Sequence, residues 1–563
     1  DLPNGIELLR GERIQGCSAL KFDDEFTAEW LVRATRPMHA MVQLHVSADG
    51  VETVTYPATL TFAKSLNLPR ASYVPKPKPV RGPFEVGVKY YPGWKGASRW
   101  GRIMPYPERM PLLGWYREGD PEVADWQIKW AVEHGITFFF YDWYWVRGYR
   151  HHEHALHDGL LRARYRNYIK FAIFWANHNP PKTSSEDDLL NVVDFWLRNY
   201  FRHENYLKVD GKPVVGIFTP RRFTDDMGSD AVRRAFARMR ERVREAGFEG
   251  LYIIARAHGL PDELKRLEHE GYDAIWSTPH LRMGVPPYVN SAPIKMVYDL
   301  HAKHWHEVIA HRILQFVPMV WSGWDSRPWH RQRAFILRGS SPEIFKVQLE
   351  RARQVLEGLT GQPRMCIIWA WNEWGEGSFI EPHRHFGFGY LDAIREVFTD
   401  APKEHVDIVP EDVGLGPYDT PSARVQIAWE FNRNGDHEGW DASMHMRDLC
   451  VQDGCLHAVT VGNDPAFFGP PTRARASRYK FVIIRMRTTR DDIAQLYWIT
   501  RFIPESEATC YRFKVIGDGR FHEYKLPVHE VRTWRGTITR LRLDPANCPN
   551  VRVSVDYIRL AER

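Results

Sequence analysis

PEVADWQIKWAVEHGITFFFYD, residues 121–142, decides the fold. Its first fifteen residues form an amphipathic helical pattern, with Val123, Trp126 and Trp130 recurring three or four apart. The next seven are a near-continuous apolar run, too short for a helix and typical of a strand buried on both faces. Helix followed by buried strand is the repeating unit of a parallel sheet covered by helices.

Working outward, the same unit recurs. The apolar runs are FEVGVKYY (84–91), ITFFFYD (136–142), KFAIFWAN (170–177), PVVGIF (213–218), GLYIIAR (250–256), DAIW (273–276), QFVPMV (315–320) and MCIIWAW (365–371). Helical patterns such as SEDDLLNVVDFWLRNYF, DAVRRAFARMRERVREAG and PEIFKVQLERARQVLEG separate them. Eight strands over roughly 300 residues are the number and size of a (β/α)₈ TIM barrel. A doubly wound sheet is the alternative, but its GxGxxG fingerprint is absent. The flanks read differently. Residues 1–80 alternate with period two (AMVQLHVSA, VETVTYPATLTF) and predict a small N-terminal β region, ending in a Pro-rich stretch at 69–83 that reads as a stiff linker. Residues 403–563 return to short alternating strands and predict a C-terminal β-sandwich, leaving 81–402 for the barrel.

Composition narrows the function. The 563 residues include 22 Trp, 24 Tyr and 29 Phe, an aromatic load suited to large cores or to stacking on sugar rings. The net charge is +6, and no Lys/Arg block of nucleic-acid type occurs. No apolar run reaches the length of a membrane span. Six cysteines carry no CxxC or zinc spacing, and four of them fall in the last quarter, where one or two disulfides or buried free thiols are both compatible with the pattern. The N-terminus lacks a signal pattern. The expectation is an exported protein, periplasmic or extracellular, whose signal peptide lies outside this chain.

In a TIM barrel the reactive residues stand at the C-terminal strand ends. Those ends carry Tyr90, Tyr91 and Trp94; Tyr141, Asp142, Trp143, Tyr144 and Trp145; Trp175, Asn177 and His178; Trp321, Trp324 and Asp325; and Trp371, Asn372, Glu373, Trp374 and Glu376. Aromatic platforms with interspersed carboxylates and amides suit a pyranose: rings stack on the sugar face while polar groups bind hydroxyls. The sharpest motif is Trp371-Asn372-Glu373-Trp374-Gly375-Glu376-Gly377. Glycoside hydrolysis uses two carboxyl groups, one protonated and one ionised. On an extended strand Glu373 and Glu376 would stand about 10 Å apart, and the two glycines allow a turn that brings them to one pocket. Asp142 is the rival carboxylate. His151, His152, His154 and His157, and later His304, His306 and His311, lack metal spacing, so neither a metal nor a cofactor is expected. His152 and His154 are candidates for hydrogen bonding to substrate at the barrel mouth.

YYPGW (90–94), residues 120–145, FAIFWANHN (171–179), NYLKVDGKPVVGIFTP (205–220) and WAWNEWGEGSFIEP (369–382) together resemble the WbsX-like domain, a relative of glycoside hydrolase family 99. The resemblance implies a retaining glycosidase working through a 1,2-anhydro sugar. Glu373 would deprotonate the sugar 2-hydroxyl and Glu376 would protonate the leaving group. That route requires O2 anti to the leaving group, as in α-mannosides. The His-rich stretch 147–157 departs from the family pattern. The alternatives are a glycosyltransferase, for which no Asp-x-Asp motif is present, and a non-catalytic carbohydrate-binding protein. The C-terminal sandwich resembles a carbohydrate-binding jelly roll around WDASMHM and NDPAFFGPP.

Overall fold

The computed structural model describes residues 2–17, 28, 30–62, 66–277, 282–330, 333–419, 426–500 and 503–563. The chain divides into two compact units, one of Ala71–Ser422 and one combining Asp1–Arg70 with Ala423–Arg563.

In the first unit the strands are β1 (Glu85–Tyr90), β2 (Phe138–Val146), β3 (Lys170–Trp175), β4 (Lys212–Ile217), β5 (Tyr252–Ala257), β6 (Ala274–Ser277), β7 in two segments (Gln315–Val317 and Met319–Trp321) and β8 (Met365–Trp369). Each pairs in parallel with its sequence neighbours, and β8 pairs with β1. The ring closes through β7, whose first segment pairs with β6 and whose second pairs with β8. Pro318 stands at the break. It has no N–H for the ladder, although its carbonyl still accepts from Ile367 N at 3.0 Å.

Helices α1 (Pro121–Glu133), α2 (Glu186–Asn199), α3 (Pro220–Met227), α4 (Ser229–Glu245), α5 (Pro261–Glu270), α6 (Ile294–Ala310), α7 (Pro342–Gly358) and α8 (Gly389–Phe398) cover the ring. Asp120 caps α1 by accepting from Glu122 N, and Ser185 caps α2 by accepting from Asp188 N. Between β2 and β3 the His-rich segment opens with a short strand, Tyr149–His151, antiparallel to the end of β2, and continues in short turns, including a single π-turn at Ala155–Gly159. Inside the ring Phe140, Phe174 and Trp276 pack together, and Gly216 of β4 makes room for them. A Cβ at Gly216 would stand 2.5 Å from both phenylalanine rings.

The Pro-rich stretch is not a free linker. Val74 is buried in the barrel core, Tyr73 donates its hydroxyl to Asp125 Oδ2 at 2.6 Å, and Ala71 N donates to Val413 O. Proline restricts its backbone, but apolar side chains between the prolines still find a groove to fill. Residues beyond α8 also pack on the barrel: Tyr418 donates to Glu122 and accepts from Trp126 Nε1.

The second unit contains two antiparallel sheets of six strands each, arranged around one core of Trp429, Trp440, Trp498 and Trp534 with aliphatic side chains. Strand Phe481–Thr488 shows the period-two alternation expected of a sandwich, with Val482, Ile484, Met486 and Thr488 buried. The same unit includes the antiparallel hairpin Met38–Ala48 and Val51–Phe62. All six cysteines are free thiols. Among the described residues no helix is long and apolar enough to cross a membrane.

Candidate functional site

Strand parity sorts the residues at the barrel mouth. Successive side chains on a strand point to opposite faces. On β2, Phe140, Asp142 and Tyr144 face inward, while Tyr141, Trp143 and Trp145 face the helices. Tyr141 stacks on Tyr90 at 4.6 Å, Trp143 packs on Phe195 and Trp196 of α2, and Trp145 Nε1 donates to Asp188. Trp175 lies against Trp196 and Phe223, and Tyr90 donates its hydroxyl to Gln127. Trp371 packs edge-on against Phe139. These aromatics seal the helix layer onto the barrel.

The inward set converges on a lysine that the motif reading missed. Lys89 of β1, 2% exposed, places Nζ 2.7 Å from Glu373 Oε1 and 2.9 Å from Asp142 Oδ2, and 4.0 Å above the Trp369 ring centroid. Its signal in the sequence was a lysine near the C-terminal end of the apolar run FEVGVKYY, whose other charge, Glu85, stands at the opposite end. Burial works against the ammonium charge, but Asp142 and Glu373 outweigh it and raise the Lys89 pKa. Burial also pushes Asp142 up to about 7, opposed by Lys89 and aided by Glu373, and Asp142 Oδ1 has no hydrogen-bond partner.

Glu373 and Glu376 stand on one tight turn. Asn372–Glu373 pairs antiparallel with Ser378–Phe379, and the N–H groups of Glu376 and Gly377 both donate to Glu373 O. Gly377 has φ +73°, and a Cβ there would lie 2.5 Å from Asp325 N; the indole of Trp329 occupies the Cβ position of Gly375. Gly377→Ala is therefore expected to displace the turn and lower turnover by roughly 10²-fold in a folded protein. Steady-state assays with circular dichroism of the same sample check this. Glu376 differs from Glu373 in its partners: its Oε2 has none. Burial first, then the charge of Glu373, pushes its pKa up to about 8. The shift favours the protonated form of Glu376 at neutral pH, while Glu373 accepts from the Lys89 ammonium.

The remaining predicted residues serve as supports. Asn372 is fully buried: Oδ1 accepts from Tyr91 N, and Nδ2 donates to Tyr91 O and Glu118 Oε1. Asn177 likewise exchanges two hydrogen bonds with the backbone of Thr219. Trp94 is sandwiched between Trp100 and Trp329, and its Nε1 donates to Asn372 O. Trp321 is buried beside Trp324 and His301. Asp325 pairs with Arg109 and Arg327, which hold its carboxyl below the usual range against the effect of burial. Arg109 also donates to Asp325 O and Trp374 O, bracing the turn.

Tyr144 is partly exposed and stacks on His151 at 4.4 Å, with His178 edge-on at 6.0 Å. His152 is buried, and desolvation holds it well below its ordinary pKa. His154 is 3.1 Å from Glu118 Oε2; burial lowers the pKa of the imidazole and raises that of the carboxyl, so both shifts work against an ion pair there. The motif reading also missed Glu118 and Glu381. Glu381, pushed by burial up to about 8, accepts from Tyr116 and Gln127 behind the aromatic layer.

Fold and site together define a TIM-barrel protein with a carboxylate–lysine cluster at the C-terminal strand ends. Residues 106–394, just over half of the chain, match the family described as Glycosyltransferase WbsX, and the chain belongs to that family. The "Uncharacterized protein WxcX" of Xanthomonas campestris pv. campestris is 26% identical over 475 residues, covering 78% of this chain and 63% of WxcX. This chain thus spans less than two thirds of the curated relative's length. Among solved structures, a "Glycoside hydrolase-like protein" aligns with TM-score 0.43 and 20% identity, over 59% of this chain and 99% of its own. The GH99 endo-alpha-mannosidase from Bacteroides thetaiotaomicron aligns with TM-score 0.40 and 16% identity, over 56% and 96%. These two are likenesses of fold.

Proposed function

We propose that the barrel is a retaining glycoside hydrolase, with Glu373 as base and Glu376 as acid. The carrying observation is the asymmetry of the pair: Glu373 is ion-paired to Lys89, whereas Glu376, three residues on, has an unpartnered oxygen and a raised pKa. Two carboxyl groups held in opposite protonation states are what acid–base glycoside cleavage requires. The resemblance of residues 369–382 to the family-99 motif supports, as the substrate class, sugars whose O2 lies anti to the leaving group, α-mannosides first.

In the first step Glu373 takes the proton of the 2-hydroxyl, O2 bonds to C1, the bond from C1 to the leaving oxygen breaks, and Glu376 protonates that oxygen. In the second, water adds to C1 and gives a proton to Glu376, the C1–O2 bond opens, and O2 recovers its proton from Glu373. The sum is hydrolysis with retention. Tyr91, Tyr144 and Trp369 around the cluster are the available stacking surfaces.

The family description supports a second reading, transfer of a sugar to another sugar's hydroxyl. Incubating the full chain with α-mannosides, α-rhamnosides and intact polysaccharides, without any nucleotide sugar, separates the two. Release of reducing ends with the product first seen by NMR in the substrate's anomeric configuration is expected. Product of inverted configuration would refute the two-step route, and activity only with a nucleotide donor would refute hydrolysis. The rate should fall as pH rises through about 8, where Glu376 loses its proton.

A further inference from the structure

A second cluster of titratable groups lies on the outside of the barrel, where α1 ends against α8. His134 follows the last residue of α1, Asp392 lies on α8, and His405 and Asp407 lie on the segment that follows α8. His134 Nδ1 is 2.6 Å from Trp130 O, and His405 Nδ1 is 2.7 Å from Lys403 O. A carbonyl oxygen only accepts, so each Nδ1 carries a hydrogen, and each ring, when neutral, presents a lone pair at Nε2.

Those two nitrogens face each other at 3.3 Å. Asp392 Oδ1 lies 3.5 Å from His134 Nε2 and 3.1 Å from His405 Nε2. Asp407 reaches His134 Nε2 at 3.3 Å with one oxygen and His405 Nε2 at 3.4 Å with the other. One ligand atom from each residue falls within 4.8 Å of all the others. With both rings neutral, four acceptors converge with no donor among them, and Asp392 Oδ1 is buried without a hydrogen-bond partner. A proton on one ring would satisfy only part of this set.

A divalent cation satisfies all of it. Ligand bonds of about 2.0–2.1 Å in a tetrahedron give edges of about 3.3–3.4 Å, close to the 3.1–3.5 Å separations among the two nitrogens and Asp392 Oδ1, while Asp407, which reaches one nitrogen with each oxygen, would turn one oxygen toward the ion to complete the set. We propose that His134, Asp392, His405 and Asp407 form a closed, structural zinc site that ties residues 403–407 to α1 and α8. The carbonyls of Trp130 and Lys403 serve as the outer partners that orient metal-bound imidazoles. Four protein ligands leave no position for substrate, so the site acts on stability and takes no part in the sugar chemistry.

The test uses the full chain stripped with chelator and titrated with Zn²⁺. Calorimetry should show one saturable site per chain, and Zn²⁺ should raise the melting temperature. Co²⁺ in its place should give the intense visible absorption of tetrahedral coordination. His405→Ala and Asp407→Asn lie outside any helix or strand, and each should weaken Zn²⁺ binding by on the order of 100-fold or more while leaving the stripped protein folded. No saturable binding, six-coordinate Co²⁺ spectra, or wild-type affinity in both variants would each overturn the assignment.

Discussion

Glu376→Gln is expected to lower turnover of an unactivated glycoside at pH 7 by about 10²–10⁴-fold, the range associated with loss of a positioned general acid. The amide keeps the shape of the side chain but has no proton to give to the leaving oxygen. The loss should shrink on an aryl glycoside whose leaving group departs without protonation. Glu373→Gln should stay impaired on both substrates, because the 2-hydroxyl must be deprotonated in either case. The fall in rate above about pH 8 should also disappear from the residual activity of Glu376→Gln. Destabilisation would not explain the result. A carboxyl whose pKa is raised on folding is at its most favourable below its unfolded value and penalises the fold as pH rises toward the folded one. The neutral amide avoids that penalty, so the variant should melt no lower than wild type at pH 8. Retention of more than half the activity on the unactivated substrate would refute the role of Glu376.

Lys89→Met is expected to have the largest effect on stability. The lysine side chain is 3% exposed and is the cation shared by Asp142 and Glu373, themselves 4% and 7% exposed. Removing one partner of a buried ionic group leaves uncompensated charge and costs about 3–5 kcal/mol. Asp142, already pushed up to about 7 by burial, would lose the cation that opposes that shift, so its folded pKa would rise further above the unfolded one. Groups shifted in that direction stabilise least at high pH and recover as pH falls toward the unfolded values. The deficit relative to wild type should therefore be larger at pH 8 than at pH 5, as read by thermal unfolding at the two pH values. A deficit under about 1 kcal/mol that does not change with pH would show that Lys89 is dispensable to the cluster. Hydrolysis should fall together with stability, since Glu373 would lose the cation that positions it.

Much of the fold was legible because buried parallel strands must be apolar throughout. The eight runs between Phe84 and Trp371 correspond to the eight strands of the ring. The short run DAIW became β6, a four-residue strand, because its neighbours β5 and β7 supply the pairing. The turn at Trp371–Gly377 was legible as well, because two glycines beside two acids have few other uses. The aromatic strand ends misled. Composition marks a tryptophan near the mouth, but only parity decides whether it faces the lumen or α2, and a strand such as FFFYDWYWV carries aromatics on both faces. Trp143 and Trp175 thus went to the helix layer, and Asn177 and Asn372 to the backbone.

By itself the sequence determined which segments are strands and helices, and which turn carries the acids, because local periodicity and glycine placement encode both. Only the tertiary structure decided which of those acids is paired to a cation. Ion pairing depends on what lies within a few ångströms, and for Glu373 that is a lysine 284 residues away. The same reason governs His134 and His405, separated by 271 residues: no spacing rule joins them, and the packing of α8 and its following segment against α1 does.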